Sequence, residues 1–454
     1  MLGILVTLLL YFCLISWIAY RKKGSEEDYY QVKKAVPVIV LAFSVFATLL
    51  SPISFLTLVG NAYTGRSYLW FAQCGIFLAI PLAHRYFLPL YQKGNYETAY
   101  HLLEDKFQSS GIRSLASGLF ILYQLGRIAV VTYLLSQALE PFIPINQLVL
   151  SALLLLLTVY YLARGGLLVV LWTDFFQGLV LLAILALFLP RIAQSGLVVN
   201  SSQQLSHFAE TLDGRTVLIL VAGAGFSSLF SYVSSQDIVQ RFNSKMRRQK
   251  IGKILWLQGL LSFGIASLLY LIGCLIRQEN FATTSTNPVL IAYAREGLAP
   301  WFGSFIMLPL LAAGQSTVSS SMNAIVTCLK LDFAWSKLRW SPSLLSFVIA
   351  GLSWLLCLLL MNAEIYSIYE WINGFMGLTL GVIGGLYLLV LLLKRPNLQL
   401  AKIYLVFSLG ALVLYHYSGF FANPNPWLNS IITTLSALFI SFLGRLYEIG
   451  RAHV

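Results

Sequence analysis

Stretches of about 20 apolar residues recur from one end of the sequence to the other, each long enough to cross a hydrocarbon core roughly 30 Å thick. With 58% hydrophobic and only 10% charged residues among 454, a fold facing water could not hide so much apolar surface. Lipid is the solvent that fits. It offers backbone N–H and C=O groups no partner, so spans of this length must be helices. The expectation is an all-α integral membrane protein. The first apolar run, Leu2 to Tyr20, has no basic region before it and no small-residue cleavage site after it, and reads as a retained helix.

Spans are expected near 2–20, 36–62, 68–90, 112–140, 144–163, 167–190, 215–238, 254–277, 299–334, 343–362, 365–393, 400–418 and 425–446, thirteen in all. A net charge of +13 would suggest nucleic acid for a soluble chain, but here the basic residues collect in alternate loops, the signature of topology. No nucleic-acid partner is expected. Arg21, Lys22, Lys23, Lys33 and Lys34 follow the first span; Lys93, Lys106 and Arg113 the third; Arg164 the fifth. Arg241, Lys245, Arg247, Arg248, Lys250 and Lys253 follow the seventh; Lys337, Arg339, Lys394, Arg395, Lys402, Arg445 and Arg451 complete that side. The amino terminus is therefore expected outside and the carboxyl terminus in the cytoplasm. The five cysteines lie in apolar segments without metal-ligand spacing, and the five histidines are scattered, so neither a zinc site nor a catalytic set is expected.

Two spans are interrupted. The second carries Ser51, Pro52, Ser54, Thr57, Gly60 and Asn61; the seventh carries Gly223, Gly225, Ser227, Ser228 and Ser231, then a polar run from Ser234 to Asp237. Such clusters free backbone groups that lipid cannot satisfy, so they border protein-lined cavities. Each opens a consecutive five-span set, 36–190 and 215–393, the pattern of an inverted-repeat transporter with its site at mid-membrane. The remaining pieces are an extra helix and loop at 1–35, an external loop at 191–214 and two closing helices at 394–454.

Polar residues inside the spans sharpen this. Ala313, Ser316 and Thr317 stand at i, i+3 and i+4, and Ser316, Ser319 and Ser320 repeat the spacing one turn on, with Asn323 a turn beyond. Neutral oxygens at that density suit a hard monovalent cation that must bind and also leave. Asp174 lies inside the sixth span, where a lone carboxylate marks function by default; it either neutralises a second cation or pairs with Arg164. Arg127, near the centre of the fourth span, can grip a carboxylate through two parallel hydrogen bonds; the competing reading is a structural pair with Glu140 or Asp174.

At these residues the chain resembles the sodium:solute symporter family. The likeness runs through TLLSPISFLTLVGNAYTG (48–65), FLPLYQKGNYETAYHLLEDKF (87–107), GGLLVVLWTDFFQG (165–178), SSQDIVQRF (234–242) and AAGQSTVSSSMNAI (312–325). It implies the LeuT-type 5+5 inverted-repeat core and sodium as coupling ion. The first sodium site it implies comprises backbone oxygens of Ala47 and Leu50 with Ala313, Ser316 and Thr317. The second comprises Asp174, Ser316, Ser319 and Ser320, making one or two sodium ions per cycle. FLPLY and YQLGRIAVVTYLLSQAL are similar to the bacterial sialic-acid branch, which implies Arg127 on the substrate carboxylate, with Ser51, Ser54 and Gln73 as polar contacts. Leu49 and VGNAY (59–63) depart from that branch, so another carboxylated sugar or small organic acid stands beside sialic acid.

The expected protein is thus a monomeric sodium symporter of the bacterial inner membrane, importing a small anionic solute by alternating access. A proton-coupled carrier or one for a neutral sugar or amino acid is the nearer rival. A channel would need a continuous polar pore, a sensor a soluble signalling segment, and an enzyme a catalytic cluster.

Overall fold

The computed structural model describes residues 2–22, 24, 29–31, 35–92, 94, 96–143, 145–195, 214–242, 246–281, 289–298, 305–333, 340–361, 368–417 and 425–452. Most of the loop expected at 191–214 lies outside them, as do Lys23, Lys33, Lys34, Lys93, Lys245, Lys337 and Arg339. The helices used below are α1 (Leu2–Arg21), α2 (Val38–Leu49), α3 (Pro52–Tyr63), α4 (Gly75–Leu82), α5 (Leu88–Gln92), α6 (Ala99–Phe107), α7 (Ser110–Leu139) and α8 (Gln147–Ala186). They continue as α9 (Gly214–Ser234), α10 (Gln236–Val239), α11 (Arg248–Gln278), α12 (Met307–Leu331), α13 (Pro342–Met361), α14 (Ile368–Leu392), α15 (Leu398–Tyr417) and α16 (Leu428–Ala452).

Among the described residues nine helices are long and apolar enough to cross a bilayer, and ten spans result if the bent pair α2–α3 is one of them. The expected thirteen requires three more: α1, whose described apolar part is short, the hydroxyl-rich α12, and a division of α8 in two. Lipid-facing surfaces are plain where Leu359, Val406 and Leu414 stand at least two-thirds exposed on α13 and α15. Such exposure is unfavourable in water and neutral among acyl chains.

The break between α2 and α3 follows from the sequence. Proline disfavours the helical region at the residue before it, and its missing N–H suits the first turn of a new helix. Leu50 and Ser51 are accordingly extended, Pro52 opens α3, and the two helices meet at 63°. The second break falls at Ser235, extended between α9 and α10. This corrects the expectation that Gly223 and Gly225 interrupt the seventh span, for α9 runs unbroken through both. Their role is close approach: a Cβ on Gly75 of α4 would sit 2.5 Å from the Gly225 nitrogen.

Helix α8 kinks at Gly165 and Gly166, and Gly166 takes φ +51°. The kink makes room for Tyr29, whose carbonyl accepts a 3.0 Å hydrogen bond from Asn323 Nδ2 and whose hydroxyl lies 2.9 Å from Ser346 Oγ. A Cβ at Gly166 would meet the Tyr29 Cα at 2.4 Å. Backbone strain and overlap therefore act together. Gly166→Val is expected to destabilise the fold by about 3 kcal/mol or more, read as loss of monodisperse protein and a lowered melting temperature in detergent. A Gly166→Val protein that melts like its parent would refute the account.

At the heart of the bundle lies α12, buried almost throughout and packed on α8, α7 and α2. Small residues allow this: a Cβ on Gly314 would lie 2.5 Å from Leu135 Cδ2 of α7. Beyond the end of α12, Asp332 accepts hydrogen bonds from Arg113 Nε at 2.7 Å and Ser117 Oγ at 2.9 Å. Arg113 also reaches Glu104 Oε2 at 2.7 Å, so one ion-pair cluster ties α6, α7 and α12 together.

Candidate ion and solute sites

The first break brings α2 against α12. Thr317 Oγ1 donates to the Ala313 carbonyl at 2.9 Å, and the Thr48 carbonyl lies 3.4 Å away. Of the five expected partners, Ala313 and Thr317 meet here, and the α2 oxygen beside Thr317 is that of Thr48, between the anticipated Ala47 and Leu50. Ala47, Leu50 and Ala313 are all buried. Ser316 faces elsewhere, its Oγ donating to Asp174 Oδ1 at 2.7 Å.

Asp174 is fully buried, and its carboxylate is heavily solvated by protein. Its Oδ2 accepts from Ser44 Oγ at 2.6 Å and Ser320 Oγ at 3.4 Å. It also pairs with Arg241 Nη2 at 3.0 Å. Three of the four residues expected for the second ion, Asp174, Ser316 and Ser320, are therefore together. Ser319 is not among them; its Oγ donates to the Ser316 carbonyl at 3.1 Å. The alternative partner Arg164 is elsewhere, exposed with its guanidinium over the Tyr160 ring.

Arg127 is buried in α7. It pairs with neither Glu140 nor Asp174 but with Asp237 of the second break, Nη1 to Oδ2 at 3.1 Å, while Nη2 donates to the Thr48 carbonyl at 2.6 Å. Asp237 also accepts from Ser235 Oγ. Arg127 thus joins both broken helices. Arg127 also lines a cavity of about 210 Å³ together with Ser51, Ser54 and Gln73, so all four expected solute contacts border one space. Tyr123, Ser231 and Gln258 add polar groups to its wall, and Leu49 and Ile53 an apolar side. A mostly preformed cavity with a few convergent polar groups and one cation is the form of a small-solute site.

Four residues escaped the sequence reading: Ser44, Thr48, Asp237 and Arg241. Ser44 and Thr48 stand at i, i+4 on α2, so their shared face was available as a signal. Arg241 is a correction. Counted with the loop charges, it is 2% exposed and pairs with Asp174 inside the bundle. The chain after Ser235 does not leave the bundle; α10 and the turn after it carry Arg241 back inside. Among the described residues no group of three or more His, Cys, Asp or Glu is placed to hold a metal. The donor set at Thr317 and Asp174 is hydroxyl, carbonyl and carboxylate oxygen, the chemistry of hard cations.

The model of the sodium:solute symporter family matches residues 29–401. The sodium/sialic acid symporter NanT of Aliivibrio fischeri is 30% identical over 460 residues, covering 93% of this chain and 88% of that protein. The sodium/sialic acid symporter SiaT of Proteus mirabilis is 29% identical, covering 92% and 89%. Among solved structures, the substrate-bound outward-open state of a Na+-coupled sialic acid symporter superposes with a TM-score of 0.83 at 26% identity over 97% of this chain and 96% of that one. A nucleobase-cation-symport-1 family transporter shares the fold at a TM-score of 0.60 and 15% identity, over 94% of each chain. With two broken helices beside a polar cavity in one LeuT-type bundle, and with these relatives, the chain is a sodium-coupled transporter and not an enzyme, and it belongs to the sodium:solute symporter family.

Proposed function

We propose that this protein imports a small carboxylated solute, sialic acid first among the candidates, together with one or two sodium ions across a bacterial inner membrane. The observation that carries the reading is a shared atom. The Thr48 carbonyl, at the first break, accepts from Arg127 at the cavity and lies within reach of the Thr317 hydroxyl at the ion position. An ion that orders this carbonyl also orders the arginine. A carboxylate that engages the arginine steadies the same carbonyl for the ion, so each favours the other, as linkage requires.

In this reading Ala47, Leu50, Ala313, Ser316 and Thr317 hold the first sodium, Asp174 with Ser316, Ser319 and Ser320 the second. Ser319 would need a different rotamer to join. Ser51, Ser54, Gln73 and Arg127 receive the solute. Repeats 36–190 and 215–393 rock around the site in a monomer with its amino terminus outside, and alternating access follows. One observation favours a second reading. Asp237 already balances Arg127, so the site is neutral before the solute enters, and a neutral solute would leave no charge unpaired.

The deciding experiment is uptake of labelled sialic acid into proteoliposomes, with an inward sodium gradient or with potassium in its place. Sodium-dependent accumulation is expected. If sodium drives none, the sialic-acid assignment fails, and a panel of organic acids, neutral sugars and amino acids distinguishes the second reading from other anions.

A further inference from the structure

Arg241 Nη2 is surrounded by more acceptors than it has hydrogens. Thr48 Oγ1 lies 2.6 Å away, Ser320 Oγ 2.7 Å and Asp174 Oδ2 3.0 Å. These oxygens come from three different helices, α2, α12 and α8, and converge on one atom that can donate only two hydrogen bonds. Thr48 Oγ1 and Ser320 Oγ are themselves 2.9 Å apart. A surplus of oxygens closing around a positive centre from several helices is the surrounding of a small bare cation rather than of an ordinary salt bridge. The Arg241 and Asp174 side chains are both fully buried.

The rest of the guanidinium is a tether. Nε donates to Ser44 Oγ at 2.9 Å, and Nη1 donates to the Asp237 carbonyl. Asp237 in turn holds Arg127 at the cavity. Two cations and two carboxylates therefore alternate from the solute cavity to the oxygen cluster, and their charges cancel. A sodium ion and Nη2 cannot occupy the same cluster together.

We propose that Arg241 is a built-in competitor for the second sodium ion: Nη2 holds the ion's place in the empty carrier and is displaced toward Asp237 when the ion binds. The inference rests on the reading that Asp174 and the α12 serines form a second ion position, and it goes beyond that reading in assigning the arginine. The consequence concerns the return step. A symporter must bring its empty form back across the cycle, and a bare buried Asp174 would oppose that motion strongly. The tethered guanidinium neutralises it, at the expense of weaker sodium binding. Displacing it also disturbs the Asp237 backbone, so ion entry is transmitted to Arg127 through two residues.

The test uses full-length Arg241→Gln, purified and kept in sodium throughout. Equilibrium binding of labelled sodium without solute is expected to tighten about tenfold. Net uptake should fall while solute counterflow, with sodium on both sides and no empty return, is largely kept. The melting temperature should depend on sodium over potassium far more steeply than that of the parent. Unchanged or weaker sodium binding, or net uptake and counterflow falling together, overturns the proposal. Should the Gln variant not yield folded protein, Arg241→Lys carries the same test. Its three N–H groups hold Asp174 and Asp237 less well, so sodium binding should tighten in the same direction, and no tightening is again the negative result. Asp174→Asn separates the two layers. If it binds as many sodium ions as the parent, the second ion position itself is wrong. If it binds one fewer while Arg241→Gln gains no affinity, only the competitor is wrong.

Discussion

Arg127→Lys is expected to reduce sodium-driven uptake of the carboxylated solute by about a hundredfold at low concentration, chiefly through a raised KM. The guanidinium spends one nitrogen on Asp237 and one on the Thr48 carbonyl. Its planar fork carries five N–H groups, more than these two bonds use, so in this reading it meets a carboxylate without releasing either break. Lysine has a single charged atom on a shorter reach and must choose among the three partners. Losing one partner of a buried charged hydrogen bond costs roughly 2–5 kcal/mol, and 2.7 kcal/mol is about a hundredfold. A purely structural arginine predicts something different: lower melting temperature and lower Vmax with KM unmoved. Measuring KM, Vmax and thermal stability together therefore decides between the two roles, and an unchanged KM sinks the carboxylate assignment. Asp237→Asn supplies the opposite sign. It keeps the guanidinium but removes its resident counter-charge, so a carboxylated solute should bind more tightly while a neutral one gains nothing.

How legible the molecule was in its sequence depends on what kind of constraint each residue obeys. The α2–α3 break was readable because proline acts on its own neighbours, and Ser51 and Ser54 come with it. Arg127 and Asp174 were readable because a charge inside an apolar run is costly whatever surrounds it. Their partners were another matter. Arg127 bonds a residue 110 positions away and Asp174 one 67 positions away, and no local pattern ranks Asp237 above Glu140, or Arg241 above Arg164. Arg241 was hidden for a further reason. The positive-inside rule counts basic residues after a span as loop residues, and it fails where a span is broken and the chain turns back. The glycines of α9 mislead in the reverse sense. Gly223 and Gly225 resemble a break, yet in a lipid-embedded bundle glycine serves close packing as readily as bending, and only the neighbouring helix shows which.

Thr317→Ala should weaken the sodium dependence of solute binding by about tenfold or more, with the helix intact. Thr317 Oγ1 is the one α12 hydroxyl recorded between the Ala313 carbonyl and the Thr48 carbonyl, so it bridges α12 to the broken helix. Removing it deletes an oxygen from the first ion position, while the Thr48 carbonyl keeps its hydrogen bond from Arg127 Nη2. A hydroxyl's interaction with a charged partner contributes about 1.5–3 kcal/mol, and the first 1.4 kcal/mol of that is a factor of ten in apparent affinity. Global stability should change little by comparison, because α12 is also held by apolar packing and by hydrogen bonds from Gln315, Ser316, Ser321 and Asn323. Thr317→Ser restores the oxygen without the methyl and should recover most of the sodium affinity, which a packing defect would not predict. The readout is solute binding to purified protein across a sodium titration, alongside melting temperature. Full sodium dependence in Thr317→Ala would move the first ion position away from α12, and with it the coupling through Thr48, even if Arg127 kept its place on the solute.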